Sequence, residues 1–306
     1  MSEGIDDIKG LHHFTAIAGD PTENAKFYVN TLGLKMVKKT VNHDAPQMYH
    51  LFYGDEEGNP GSSITFFPGM SDKKGESGAN MVTELGLRIP KDALQYWKER
   101  LESKDIEIKK ENWHGSQTLK FEDNSGLQLR LVMQKSDNFT AYKESPVPQE
   151  FQIQGMHHVT LSVKEKDKMA ELLTQMGLVK KESLYRAKDD TAVELKKTDK
   201  TGRMGIGSVH HVAFKAGDET NQKKWRDKIQ RMGMRPSPTI SRKYFTSFYF
   251  RTYSNILFEF STLGPGYTAD EKVSELGSSL VLPEKLEPMR DEILNSLPEF
   301  NEDEIA

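Results

Sequence analysis

Three His-His pairs hold six of the nine histidines in this 306-residue chain: Leu11-His12-His13-Phe14-Thr15, Met156-His157-His158-Val159-Thr160 and Val209-His210-His211-Val212-Ala213. Neutral imidazole is the commonest metal ligand near neutral pH, so pairs placed this regularly suggest a metal centre built by repeated modules. Each pair opens a stretch that reads as a β-strand. Successive side chains of a strand point to opposite faces, so one histidine of a pair can face an interior and the other must look elsewhere or line a rim. A carboxylate could complete the set. Glu259 stands inside the apolar run Ile256-Leu257-Phe258-Glu259-Phe260. Either that strand turns a polar face to water, or the buried carboxylate needs a partner, which a metal would supply. Taken alone, His13 and His211 could equally be hydrogen-bonded core histidines; their equivalent positions in two similar segments favour ligation.

The formal net charge of −4 gives no electrostatic footprint for nucleic acid, and Lys38-Lys39 and Lys180-Lys181 read as solvated faces. The absence of cysteine excludes disulfides, thiolate metal sites and cysteine nucleophiles. The start, Met1-Ser2-Glu3-Gly4-Ile5-Asp6-Asp7, lacks the basic and apolar regions of a signal peptide, and no apolar run approaches the ~20 residues of a membrane span. The expectation is a soluble cytoplasmic protein with no membrane and no nucleic-acid partner, in which Asn138-Phe139-Thr140 matches a glycosylation pattern by chance. The Gly-Arg-Met-Gly-Ile-Gly stretch from Gly202 is not followed by a helix pattern, which argues against a phosphate cradle.

To position such residues the chain divides into four segments of about 50 to 65 residues, a period that reads as repeats. The first, about Gly10 to Gly69, opens with a strand from Leu11 to Ala18 and turns at Gly19-Asp20-Pro21. A helix pattern from Thr22 stops at Gly33, and strands follow at Leu34 to Val41, Met48 to Tyr53 and Ser63 to Phe67. That order is β-α-β-β-β. The second segment repeats it with a strand from Thr83 to Ile89, a helix from Lys91 to Leu101, and strands at Ile106 to Lys109, Gln117 to Phe121 and Leu127 to Met133. Ser145-Pro146-Val147-Pro148 separates the halves. The third unit starts at Gly155 with a helix from Lys166 to Met176. The fourth starts at Ser208, with a helix from Asp218 to Met232 and strands near Arg235 to Ser241, Tyr244 to Arg251 and Ile256 to Ser261. A polar tail after Gly264 carries a helix over Glu284 to Ser296. Units one and four share Ala18-Gly19-Asp20 and Ala216-Gly217-Asp218, and Thr22 matches Thr220. If similar units pair, one joins four and two joins three.

Four β-α-β-β-β units with histidine on the first strand resemble the vicinal-oxygen-chelate superfamily of glyoxalases, bleomycin resistance proteins and extradiol dioxygenases. Within it, the chain resembles the ring-cleaving dioxygenases that open hydroquinones, through Leu11-His12-His13-Phe14-Thr15, the run from Gly205 to Phe214, Arg242-Lys243-Tyr244-Phe245, Phe258-Glu259-Phe260, Gly264-Pro265-Gly266-Tyr267 and Leu282-Pro283-Glu284. The resemblance covers nearly the whole chain. It implies an α+β fold in which four βαβββ modules pair into two cupped eight-stranded half-barrels with helices outside. Two glyoxalase-like domains of two modules each would span residues 8–140 and 152–265, with 266–306 a C-terminal tail. It also implies an Fe(II) site made by His13, His211 and Glu259, the two-His-one-carboxylate set that leaves positions for substrate and O₂. Arg242 would attract a phenolate and Tyr249 would hydrogen-bond substrate or an oxygen species. His12, His210 and Thr15 would be pocket groups that orient the ligands and carry protons. The implied reaction is cleavage of a small hydroquinone-like aromatic by O₂, in the detoxification of quinones and aromatics.

Alternatives stay open at this level. Catechol-cleaving relatives take the first ligand from the third unit, here His158; otherwise His157-His158 reads as a relic of duplication, one side chain packed and one at the surface. Glu194 could serve as a second carboxylate, although Lys196-Lys197 beside it favours a solvated strand end. Tyr244 is a weaker pocket candidate. His43, His50 and His114 have no partner pattern and read as surface or loop residues. A glyoxalase-like lyase or isomerase usually wants a second carboxylate, and Ile64-Thr65-Phe66-Phe67-Pro68 offers none. A metal-free binding module for an aromatic would not need all three ligands. Mn(II) suits the ligand set as well as Fe(II), and a homo-oligomer is compatible with the chain.

Overall fold

The computed structural model describes residues 4–305. Its first module runs β1 (Leu11–Ala18), α1 (Pro21–Ala25, continued by a π-helical stretch over Lys26–Thr31), β2 (Lys35–Asn42), β3 (Ala45–Gly54) and β4 (Ser63–Pro68). The second runs β5 (Met81–Ile89), α2 (Leu94–Glu102), β6 (Lys109–Trp113), β7 (Ser116–Glu122) and β8 (Gln128–Met133). The third is β9 (Met156–Val163), α3 (Lys166–Gln175), β10 (Val179–Lys181), β11 (Leu184–Arg186) and β12 (Ala192–Lys197). The fourth is β13 (Val209–Gly217), α4 (Glu219–Arg231), β14 (Ile240–Ser241), β15 (Thr246–Arg251) and β16 (Leu257–Thr262). The Gly-Asp turns of modules one and four cap their helices: Asp20 accepts from the Glu23 amide at 2.9 Å, and Asp218 from the Asn221 amide at 2.8 Å. Each side chain satisfies an amide the helix leaves unpaired.

Two eight-stranded sheets result, in the orders β14-β15-β16-β13-β1-β4-β3-β2 and β10-β11-β12-β9-β5-β8-β7-β6. Module one therefore pairs with module four and module two with module three, the grouping expected from the shared Gly-Asp turns. Each sheet draws on both halves of the chain. Its centre is an antiparallel seam of two first strands, β1 with β13 and β5 with β9. A helix covers the convex side: Trp225 of α4 is fully buried, edge-on to Phe260 at 5.5 Å between centroids. The concave side of the first sheet is left for side chains that need not pack.

The tail closes the outer edge of the first sheet, where β2 would otherwise present unpaired backbone groups. Val281 donates its amide to the Lys39 carbonyl at 2.9 Å. Lys38, expected on a solvated face, is fully buried and donates to the Tyr267 carbonyl, to Asp270 at 2.9 Å and to Glu271. Lys39 is buried too and pairs with Glu302. Carboxylates more than two hundred residues away make that burial tolerable.

Three elements differ from expectation for local reasons. The strand expected at Ile106 to Lys109 forms at Lys109–Trp113, because pairing with β7 sets an edge strand whose side chains are largely wet. The strand expected over Arg235 to Ser241 shrinks to Ile240–Ser241; Pro236 and Pro238 cannot donate to a ladder. The tail helix splits at Pro288 into a 3-10 turn, Glu284–Met289, and α5 (Arg290–Ser296). No helix among the described residues is long and apolar enough to cross a membrane.

Because both sheets need both halves, residues 1–150 expressed alone are expected to give no cooperative thermal transition, and mixing with residues 151–306 to restore one. A sharp transition for the first half alone would contradict this assembly.

Candidate metal centre

In the seam of the first sheet Thr15 lies opposite His211, His13 opposite Ala213, and Ala213 in turn beside Glu259 on β16. That register turns His13, His211 and Glu259 to the same concave face. Their ligand atoms all lie within 4.8 Å of one another, and all three residues are buried. Oε2 of Glu259 is 2.9 Å from His211 Nε2 and 3.3 Å from His13 Nε2, yet it makes no hydrogen bond. The other oxygen, Oε1, accepts from the Ser261 hydroxyl at 3.0 Å.

Proton placement around His12 explains that arrangement. His12 Nε2 lies 3.1 Å from the Thr262 carbonyl, which can only accept, so Nε2 carries the proton. Burial, with the neighbouring His13 ring, lowers the His12 pKa well below the usual value, so the ring is neutral and its Nδ1 is a lone pair. Nδ1 of His13, 2.9 Å away, must then donate to it. A neutral His13 is left with a bare Nε2 facing the bare Glu259 oxygen. Two lone pairs aimed at one point at this range repel unless a cation stands between them. The same Nδ1-to-Nδ1 contact, at 2.8 Å, links His210 and His211. The residues therefore fit a divalent metal, with the preceding histidine of a pair orienting the ligand. Burial works against an ionised Glu259; the carboxyl nonetheless lies well below the usual range through attraction to positive charge at the His13 and His211 edge, which a bound cation supplies when the rings are neutral.

The cluster forms the floor of a cavity of about 430 Å³ walled by Phe52, Phe67, Phe245, Met70, Ile240 and Leu257. Polar groups enter at set points. Arg242, just after β14, donates from Nε to the Tyr249 hydroxyl at 3.0 Å and sits 3.6 Å from Asp44 across the mouth. Burial first, then Glu259, raises the Tyr249 pKa, so the phenol keeps its proton. His210 sits at the rim, its pKa lowered to about 4 chiefly by burial and then by His211. Tyr244 lines the same space and donates to Asp270 at 3.1 Å. Thr15 bridges His211 Nε2 at 2.9 Å and the Thr65 hydroxyl at 2.7 Å. His12 packs away from the cavity against Phe245, ring centroids 4.9 Å apart. Six of the eight residues singled out line this cavity, while His12 and Thr15 stand behind it in contact with His13 and His211.

Several residues read as bystanders prove otherwise. His50 lines the cavity and extends the Thr15–Thr65 chain, 2.9 Å from Thr65, while His43 lines it from the β2–β3 hairpin. Both read as surface or loop residues in the sequence; His43 does sit in a turn, whereas His50 is on β3 and faces the cavity. Alternation along β3 could have placed His50 with Phe52 on one face, but nothing in the sequence shows which face is concave. His114 is exposed in the β6–β7 turn, as expected, although its ring comes within 3.4 Å of Glu194. Glu194, expected at a solvated strand end, is buried, and so are both His157 and His158. A second cluster, Glu84, His158 and Glu194, lies in the other sheet. Glu84 carried no motif.

The chain is similar to several known proteins. A model of the "Glyoxalase/Bleomycin resistance protein/Dioxygenase superfamily" matches residues 10–131. A Bacillus subtilis protein named "Putative ring-cleaving dioxygenase MhqO" is 39% identical over 300 residues, 95% of this chain and 96% of its own. The "Chlorohydroquinone/hydroquinone 1,2-dioxygenase" of Sphingobium indicum is 30% identical over 309 residues, again 95% and 96%. A crystal structure of a Bacillus subtilis "putative dioxygenase" superposes with a TM-score of 0.90 at 37% identity, over 97% of this chain and 98% of that one.

The buried histidines predict a pH dependence. His43 and His210 both fall to about 4 in the fold, chiefly through burial, against ~6.5 when unfolded. The unfolded state therefore binds more protons between these values, so stability is complete above pH ~6.5 and is lost as pH falls toward 4. Urea unfolding of the metal-free protein is expected to give a free energy lower by at least ~2 kcal/mol at pH 5 than at pH 7. Equal or greater stability at pH 5 would mean these rings are not held neutral.

Proposed function

Since the chain belongs to the glyoxalase/bleomycin resistance protein/dioxygenase superfamily, among its ring-cleaving dioxygenases, we propose that it cleaves hydroquinone-type aromatics with O₂ at an Fe(II) centre held by His13, His211 and Glu259. The observation that carries the reading is the convergence of two imidazole nitrogens and an unpaired carboxylate oxygen on the floor of an aromatic cavity. A Fe(II) ion there would lower the pKa of a substrate hydroxyl and hold ring and O₂ side by side. We take residues 8–140 and 152–265 as two sequence domains with a tail, the site being assembled across them.

The roles of the surrounding residues follow from their atoms. His12, by donating to Thr262, fixes the tautomer that frees His13 Nε2. The Arg242 guanidinium stays charged and draws a phenolate inward. Since Arg242 already donates to the Tyr249 oxygen, the phenolic proton is free to point at a substrate oxygen. His210 is neutral at the rim; with its Nδ1 accepting from His211, its Nε2 carries the proton and can donate a hydrogen bond to a substrate oxygen. Thr15 donates to the same His211 Nε2 that would bind the ion, and on metal binding its hydroxyl can turn to Thr65 instead. Phe52, Phe67 and Phe245 exclude water and offer faces to a flat ring. Removal of reactive hydroquinones is the role this chemistry suits.

A glyoxalase-like isomerase would need a carboxylate opposite Glu259. The matching position on β4 is Thr65, already engaged by Thr15 and His50.

The test is anaerobic loading with Fe(II) or Mn(II), then O₂ uptake and ultraviolet spectra with hydroquinone, methylhydroquinone and catechol. One O₂ consumed per hydroquinone opened is expected, with activity and metal both lost in Glu259→Ala and in His13→Ala. Activity retained in both variants, or lost in His158→Ala with catechol the only substrate, would move the centre to the second sheet. Tyr249→Phe should keep its metal and lower kcat by on the order of 10²; an unchanged kcat would remove Tyr249 from the proton path.

A further inference from the structure

The second sheet repeats the first position by position. In the first, His13 pairs with Ala213 and Ala213 with Glu259, while Thr15 pairs with both His211 and Thr65. In the second, Glu84 pairs with Thr160 and Thr160 with Glu194, while Gly86 pairs with both His158 and Arg130. Glu84 therefore stands where His13 does, His158 where His211 does, Glu194 where Glu259 does, and Arg130 where Thr65 does. The ligand atoms of Glu84, His158 and Glu194 again lie within 4.8 Å of one another, and His157 again meets its neighbour through Nδ1, at 2.9 Å.

What differs is the positive charge. Arg130, 2% exposed, grips Glu84 with two hydrogen bonds, Nε to Oε1 at 2.7 Å and Nη2 to Oε2 at 3.1 Å. Its third nitrogen donates to Thr118 at 2.7 Å. His158 is fully buried, and its Nε2 has no hydrogen bond, Glu84 Oε1 lying 3.5 Å away. That nitrogen is aimed into the cluster with nothing to bind. The Trp113 ring lies nearly parallel to His158 at 4.3 Å, filling the space that the first cup leaves for a ligand.

We propose that the second half-barrel is a latent divalent-cation site, in which the Arg130 guanidinium takes the place of the ion. Glu84, His158 and Glu194 form a one-His-two-carboxylate set suited to Mn(II), Fe(II) or Co(II). An ion could enter only by displacing a buried guanidinium from Glu84, which breaks its two-bond grip and leaves it only Glu111, 3.0 Å from Nη2. The native protein therefore holds no metal there. Replacing Arg130 by threonine puts the first cup's residue at that position, while Lys120 stays 3.1 Å from Glu84 and, 28% exposed, can turn to water. Lys196, 3.1 Å from Glu194 and 47% exposed, can swing into water, and Glu84 borders a groove of about 660 Å³ through which an ion can enter.

The inference uses the first cup only for alignment, and the test separates the two. Native protein, Arg130→Thr and the double variant Arg130→Thr/Glu84→Gln are stripped with chelator and dialysed against Co(II) or Mn(II), and bound metal is counted by mass spectrometry. Arg130→Thr is expected to hold one equivalent more than native, to melt higher with metal than without, and to lose both gains in the double variant. Equal metal content in native and Arg130→Thr overturns the proposal, as does an Arg130→Thr protein that fails to fold even when refolded with metal. An independent measurement needs no Arg130 variant: His158→Ala must bind as much metal as native protein, and a loss there also overturns it. If instead His13→Ala leaves the count unchanged, the reading of the first cup fails while the comparison at Arg130 still stands.

Discussion

Backbone pairing between β1 and β13 brings the first and last modules within one side-chain hydrogen bond of each other, Thr15 to His211 at 2.9 Å. Every other property of the cavity depends on that register. A strand side chain changes face with every residue, so a slip of one position would turn His13 and Thr15 to the convex side and Phe14 inward. The seam carries irregularities between Leu11 and His13 and between Thr15 and Ala16, and these bends give β1 a fixed pairing that a uniform ladder would not. The convex face adds the same constraint, since Phe14, Ala16 and Ala18 are buried in the common core. Hydrophobic burial on one side thus dictates which polar groups meet on the other.

The same scaffold tolerates two very different interiors. In the first sheet the concave face keeps a cavity lined by aromatic rings; in the second, Trp113 and Arg130 occupy the corresponding volume. Gly86 shows how tightly the second cup is fitted, because a Cβ there would stand 2.0 Å from the His158 ring. The first cup carries Thr15 at that position. Backbone pairing is conserved between the halves while the inward side chains decide the chemistry, so shape alone would assign both cups the same task.

Much of this was legible in the chain itself. His13, His211 and Glu259 stood out because a charged or metal-binding side chain inside an apolar strand needs a partner. The pairing of modules could be read from the Gly-Asp turns, which are local helix caps and so leave a local signature. His50, Glu84 and Lys38 could not be read in this way. Their burial depends on residues distant in sequence: Thr65 for His50, Arg130 for Glu84, Asp270 and Glu271 for Lys38. Polar residues on strands are solvated by default, and only a tertiary partner reverses that expectation. Glu194 misled for the same reason, since the lysines beside it suggested water while Thr160 and His158 lay across the sheet.

The split of one centre between first and last modules also governs when it comes into being. A ribosome delivers β1 first, and that strand emerges with neither β13 nor Glu259 available. Chains fold as synthesis proceeds, at ~5–20 residues per second, so modules two and three can form their own seam while His13 waits beside an unmatched edge. Only when β16 has left the exit tunnel do the three ligands meet. A truncated or stalled product thus lacks one or more of the three residues that meet on the cavity floor.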